Sequence, residues 1–247
     1  MSLWIWWGIG LTITTFICSW VIVKRHQYGY PILIALFAGY VLSANILVPR
    51  IIELDIGFTT LILTTGSVIW PFTAQISDMI NEIYGKKKAY LSVIIAYAIN
   101  LLFITFIYMG ASVQSIWSSE EEIFWLNYFL PAPRILIASS VAFLITQFVD
   151  IIIFAKLKSY FSKWESSKNL KGIVIYCTVR SVSSDLVNMI LDGIIFTILA
   201  FSFAVPFDIL IALLIGGIIG KGFLAIIDTP WFIAFRIGVK NVEREFD

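Results

Sequence analysis

The sequence predicts an all-α membrane protein, a single polytopic bundle of about seven transmembrane helices. Three observations carry that prediction. The 247 residues are 60% hydrophobic and only 13% charged, about half the charge of an ordinary soluble domain, and the mean hydropathy is +0.92. Several apolar runs approach or exceed the roughly 20 residues that cross a bilayer. The loops between those runs alternate in charge along the chain. One transmembrane domain over 1–247 follows, with 1–28 as an additional N-terminal helix and 29–247 as the core bundle. The net charge of +1 leaves no electrostatic footprint for nucleic acid. Cys18 and Cys177 are too few for a disulfide framework, and both sit in apolar runs, so two buried thiols are expected.

Crossings are expected at about 4–23, 31–49, 59–82, 89–111, 135–157, 178–203 and 208–235. Lys24, Arg25 and His26 follow the first. Lys86, Lys87 and Lys88 follow the third, and Lys156, Lys158, Lys163, Lys168 and Lys171 the fifth. Arg236, Lys240 and Arg244 lie toward the tail, and Glu120, Glu121 and Glu122 in the long fourth loop. With seven crossings every basic loop falls on one side, so the positive-inside rule puts the N-terminus outside and the C-terminus in the cytoplasm. The first segment is not a signal peptide in appearance, because its positive charges come after the apolar run. Trp4, Trp6 and Trp7 suit an interfacial belt, and the helix itself a plain anchor peripheral to the core. The fourth loop suits a surface loop or short interfacial helix, and a lid is open to it. Gly172 to Val179 reads as a partly re-entrant piece, because the segment after Lys171 is too long for one span.

The polar residues inside the apolar runs are confined to narrow arcs. Gln75, Asp78, Asn81 and Glu82 share about 120° of the third helix. On the fifth, Ser139, Ser140, Thr146, Gln147 and Asp150 share a similar arc, with Arg134 near its start. On the sixth, Arg180 precedes Ser184, Asn188 and Asp192, which repeat every four residues. A carboxylate turned to lipid at mid-membrane costs about 2.5–3.5 kcal/mol even on lenient scales. These faces therefore point inward, and Gln75, Asp78, Gln147, Asp150, Asn188 and Asp192 are expected to converge on one cavity. Asp192, the deepest, is expected either to carry a proton or to pair with a cation such as Lys221. Lys221 itself suits a structural ion pair or a solute contact. Asn100 suits an interhelical hydrogen bond, and Gly216 and Gly220 permit close helix approach. Arg134 and Arg180 are each expected to pair inside the bundle. The pair Gln-x-x-Asp occurs at 75–78 and again at 147–150, so helices three and five present similar faces.

Three stretches together resemble the queuosine precursor transporter family. They are Pro71-Phe72, Asp78, Asn81, Glu82 and Tyr84-Gly85 with the following lysines; Arg134, Ser139-Ser140, Gln147, Asp150 and Phe154; and Arg180, Ser184, Asp192 and Phe196. The resemblance spans most of 60–205. It implies a small helical membrane protein importing a 7-deazaguanine precursor of modified tRNA bases, with the bilayer and that small molecule as partners and no cofactor. It leaves a homo-oligomer open. Asp185 and Met189 stand where the family has Thr and Gln, and the first helix is additional to the family's six. A deazaguanine offers N–H donors to a carboxylate and an O6 acceptor to Gln, Asn or Arg, and its flat ring suits aromatic walls, for which Trp70, Phe72, Phe148 and Phe154 are nearby. The substrate-binding set is then Trp70, Phe72, Gln75, Asp78, Asn81, Glu82, Arg134, Gln147, Asp150, Arg180, Ser184, Asn188, Asp192 and Lys221.

The sequence contains no catalytic constellation. His26 is the single histidine, no Cys/His spacing suits a metal, and no phosphate loop follows a strand. The chain is therefore expected not to be an enzyme. The alternatives are a substrate-binding membrane subunit of an energy-coupling vitamin-type transporter, or a non-transport membrane scaffold whose buried charges are structural pairs.

Overall fold

The structure, a computed structural model, describes residues 3–48, 50–57, 59–130, 133–165, 170–203 and 206–239. In chain order it contains α1 (Leu3–Lys24), α2 (Gly29–Leu47), β1 (Ile51–Asp55), β2 (Thr60–Thr64), α3 (Thr65–Ala111), α4 (Ser119–Phe129), α5 (Pro133–Glu165), α6 (Leu170–Phe201) and α7 (Phe207–Val239). Six of these helices are long and apolar enough to cross a membrane.

The third of them supplies two crossings. At 1.5 Å per residue its 47 residues would run about 70 Å, more than twice the hydrocarbon thickness of about 30 Å. It breaks at Gly85, where φ is 75° and ψ 172°, a conformation that only glycine adopts cheaply. Both arms lie along α2. Tyr30, near the start of α2, donates to the Lys88 carbonyl at 2.8 Å and packs on the Tyr84 ring at 5.3 Å. Asn45, near its end, donates to Asn100 at 2.8 Å. The arms are therefore antiparallel, and the expected count of seven crossings stands. Asn100 is the interhelical hydrogen bonder expected of it.

The chain from 51 to 64 departs from the sequence reading. It is an antiparallel hairpin, pairing Ile51 with Thr64 through Asp55 with Thr60, so the third crossing begins at Thr65 and not at 59. Buried and exposed residues alternate there with period two. Leu54, Leu61 and Leu63 are buried, whereas Glu53 and Asp55 are exposed, the mark of a one-sided strand pair. Thr64 closes β2 and caps α3, its hydroxyl accepting from the Ser67 amide at 3.3 Å. The hairpin also takes the small-residue face of α7. A Cβ at Gly220 would meet Leu63 at 3.4 Å and Leu61 at 3.6 Å, so these glycines admit a strand, not the helix expected. Close helix approaches are at Gly193 of α6, where a Cβ would lie 2.8 Å from Ile218 of α7, and at Gly66 of α3, where it would lie 2.5 Å from the Ala44 carbonyl of α2.

Two further expectations change. α6 is one continuous helix from Leu170, so Gly172–Val179 is not re-entrant; after Gly172 the segment contains no Pro or further Gly to break it. α1 is not peripheral. Leu11, Cys18 and Ile22 are fully buried, and Trp7 donates to the Val68 carbonyl at 3.0 Å. Gln75 donates to Thr15 at 3.3 Å and Trp231 to Thr12 at 2.9 Å. The opposite side, with Trp6, Ile13, Phe16 and Trp20, is exposed and suits lipid. Of the three tryptophans expected in a belt, Trp7 is instead core, set edge-on against Phe72 at 6.0 Å.

α4 is a short helix closed by a capping box. The Ser118 hydroxyl accepts from the Glu121 amide, and the Glu121 carboxylate accepts from the Ser118 amide at 3.0 Å. Hydrogen bonds from Ser118 hold the Glu121 carboxyl below the usual glutamate range. Its ionised form is thus favoured by the cap, a contribution present at neutral pH and lost as acid protonates it. Phe124 and Ile123 remain exposed, as in a helix lying at the interface.

Candidate functional site

α3, α5, α6 and α7 turn their polar arcs toward one another, and the arcs meet in three tiers stacked along the bundle. Successive tiers on α6, at Asp192, Asp185 and Arg180, are separated by five to seven residues, about 7–10 Å of helix.

The tier nearest the hairpin is a cleft lined by Asn45, Ser67, Trp70, Ser139, Asp192, Phe196 and Lys221 among others, of about 480 Å³ counting its open mouth. Lys221 and Asp192 form an ion pair across it, their side chains 14% and 7% exposed. The Lys221 ammonium also lies 5.3 Å from the centre of the Trp70 ring, within cation–π range. The Trp70 indole N–H is buried without an acceptor. Asn45 fixes the rim, holding Asn100 and accepting from Ser139 at 3.5 Å. The cleft therefore offers an aromatic plane, an anion, a cation and an unused donor within one apolar wall, the mix of groups found in small-ligand sites.

The middle tier is acidic. Asp78 of α3, Asp150 of α5 and Asp185 of α6 each bring one oxygen within 4.8 Å of the others, and all three are at most 2% exposed. Ser181 donates toward Asp78 at 2.9 Å and Asp185 at 3.2 Å. Ser184 lies beside Asp150 and donates to the Ser181 carbonyl at 3.1 Å. One helical turn toward the cleft, each helix carries an amide: Gln75, Gln147 and Asn188.

The tier nearest Lys86–Lys88 is an ion cluster around Glu82. Arg180 lies 2.9 Å from it, Arg236 2.7 Å and Lys158 3.7 Å. The Arg180 guanidinium, fully buried, also covers the Phe154 ring at 4.9 Å. Asn81 donates to the Ile151 carbonyl at 3.0 Å.

The single expected cavity is thus divided. Trp70, Asp192 and Lys221 line the cleft, and Asp192 has taken the paired option. Gln75, Asp78, Gln147, Asp150, Ser184 and Asn188 belong to the middle tier. At the far end Asn81 ties α3 to α5 and Glu82 ties α3 to Arg180 of α6, because a buried guanidinium and carboxylate satisfy each other before any solute arrives. Phe72 is not a cleft wall; it is buried against Trp7 and Tyr40, the latter at 5.3 Å. Phe148 packs on Tyr90 at 5.3 Å, and Phe196 provides the second aromatic of the cleft. The Arg134 side chain lies outside the described residues, as do Lys240 and Arg244. Sequence reasoning left Asn45, Ser139 and Ser181 out of the site, along with Asp185 and Arg236. Asp185 follows Ser184 directly and lies one turn from Ser181 and Asn188, so its stripe was the available signal.

A seven-crossing bundle with a polar cleft inside is the build of a membrane transporter, and the comparisons agree. The chain matches, over residues 64–235, the family described as "Putative vitamin uptake transporter", and it belongs to that family. It is also 28% identical over 207 residues, 81% of this chain and 82% of the relative, to a "Probable queuosine precursor transporter" of Bacillus subtilis (strain 168). No solved structure matches.

Proposed function

We propose that the protein imports a 7-deazaguanine precursor of a modified tRNA base through the cleft between Trp70, Asp192 and Lys221. The observation that carries the proposal is that cleft, where one aromatic face lies beside one anion and one cation. A deazaguanine ring stacks on Trp70 with Phe196 nearby. Its ring N–H and exocyclic amine donate to Asp192, and its O6 accepts from Lys221 or the free indole N–H. The base is moved unchanged, with no cofactor and no catalysis. The name of the Bacillus relative supports this substrate. The loop charges support a plasma-membrane orientation with the N-terminus outside and the C-terminus in the cytoplasm, so the cleft opens outward and the Glu82 cluster closes the cytoplasmic end. In the same reading 1–28 is an addition to the transporter core of 29–247.

The test is uptake of radiolabelled 7-deazaguanine bases by cells that cannot make them, with and without this chain. Saturable uptake that unlabelled deazaguanine inhibits and a vitamin mixture does not is the expected result. Expressed protein without uptake of any deazaguanine overturns the substrate assignment.

A further inference from the structure

The middle tier has more anion than its surroundings neutralise. Asp78, Asp150 and Asp185 come from three helices and share a space that one ion can span. From α7, Asp228 faces Asp185. The charged groups about one to two turns further along the same four helices are Glu82 on α3, Lys158 on α5, Arg180 on α6 and Arg236 on α7. All three cations are engaged by Glu82, and Arg180 also acts on Asp78. Among these described groups five carboxyls meet three cations. A buried charge without a partner is far too costly to stand. The structure also leaves acceptors idle. One oxygen each of Asp78 and Asp185 has no donor, and Asp150 has only the Ser184 hydroxyl beside it, which also donates to the Ser181 carbonyl. Ser181 has one hydroxyl proton for two carboxylate oxygens, so one of its two contacts lacks a hydrogen.

An independent feature points the same way. Gln147 and Asn188 are fully buried, and neither the carbonyl nor the amino group of either side chain has a partner. They sit one turn above Asp150 and Asp185, on the same faces. Their two neutral carbonyl oxygens, one turn from three carboxylates, complete an all-oxygen set of possible donors. Such a set suits a hard cation, with oxygen ligands on opposite sides of it about 4.6–5.2 Å apart at calcium-like bond lengths.

We infer that Asp78, Asp150 and Asp185, with Gln147 and Asn188, form a site for a coupling cation, a proton or a sodium ion, separate from the cleft above. The inference rests on the transport reading for the word coupling, and on the geometry alone for the site. A cation held here neutralises the tier beneath the solute, and its arrival and departure accompany each transport cycle.

The probe is the ion itself, with no solute present. The full chain is purified in detergent, and its thermal unfolding midpoint is followed by tryptophan fluorescence. One titration replaces choline chloride by sodium chloride at constant ionic strength. The other lowers the pH from 8 to 5 without sodium. A saturable rise in the first assigns sodium, and a rise in the second that depends on the aspartates assigns the proton. In Asp185→Asn the responsible shift is expected to fall at least severalfold, while exposed Glu53→Gln keeps it. Asp150→Asn serves if Asp185→Asn does not fold, since each replacement is isosteric and neutral. A wild-type flat in both titrations overturns the site, as does a response identical in the aspartate variants. A response to calcium or magnesium alone also overturns it. Because no solute is used, a cation response survives failure of the deazaguanine assignment. Deazaguanine uptake without a cation response overturns only this inference.

Discussion

Asp192→Asn is expected to lower deazaguanine uptake tenfold to a hundredfold, with a normal amount of folded protein in the membrane. The substitution keeps the shape and one acceptor oxygen of the side chain. It removes the charge that faces both Lys221 and the solute. A hydrogen bond to a charged group contributes about 1.5–3 kcal/mol, which is roughly that range in affinity. The Lys221 ammonium keeps partial access to the open cleft and the Trp70 face, so the fold tolerates the loss. Lys221→Met tests the other half of the pair and should weaken uptake similarly. The measurement is initial uptake rate normalised to folded protein. A wild-type rate in Asp192→Asn would mean that the pair is structural and the solute sits elsewhere.

Glu82→Gln is expected to fail differently, through the fold. Glu82 is the shared partner of Arg180, Arg236 and Lys158, and its side chain is fully buried, as is that of Arg180. Breaking a buried pair by removing one member costs about 3–5 kcal/mol, because the remaining charge is stranded. Here a single change leaves three cations without their common anion. That is a large part of the 5–15 kcal/mol that holds an ordinary domain together. The yield of monodisperse protein should collapse and its unfolding midpoint should drop, whereas Asp192→Asn should melt near the wild type. A normal midpoint in Glu82→Gln would show that the cluster contributes little, as a surface pair does.

The contrast between these two residues marks how far the sequence could be read. Hydropathy and loop charge give the crossings, since the bilayer leaves a chain few ways to bury its backbone. Periodicity also gives the inward faces, and every polar residue placed on an arc and described by the structure is turned into protein. Register along the bundle is harder. An arc states which way a side chain points and not which tier it reaches. Glu82 and Asp192 therefore read alike, although one is locked by two guanidiniums and the other lines an open cleft. The hairpin at 51–64 is hidden in the sequence because its apolar residues merge with the start of α3 into one run long enough to cross. Only the alternation of buried Leu61 and Leu63 with exposed Ile62 separates strand from helix there. Phe72 lies on the α3 face that α1 covers, and an apolar run with no polar arc, such as α1, carries no sign in the sequence of packing there. Asp185 is legible, since Ser181, Asp185, Asn188 and Asp192 form one stripe of α6.

The central claim is that the solute binds in the cleft and nowhere lower in the column. Substrate protection of a single cysteine tests it most directly. Ser139 lines the cleft wall and Lys87 is exposed at the opposite end of the bundle. Alkylation of Ser139→Cys and Lys87→Cys is followed in membranes with and without added 7-deazaguanine base. Slowed labelling at 139 that saturates with the base, and unchanged labelling at 87, is the predicted result. Equal labelling at 139 with and without the base, in protein that still transports it, contradicts the assignment of the cleft.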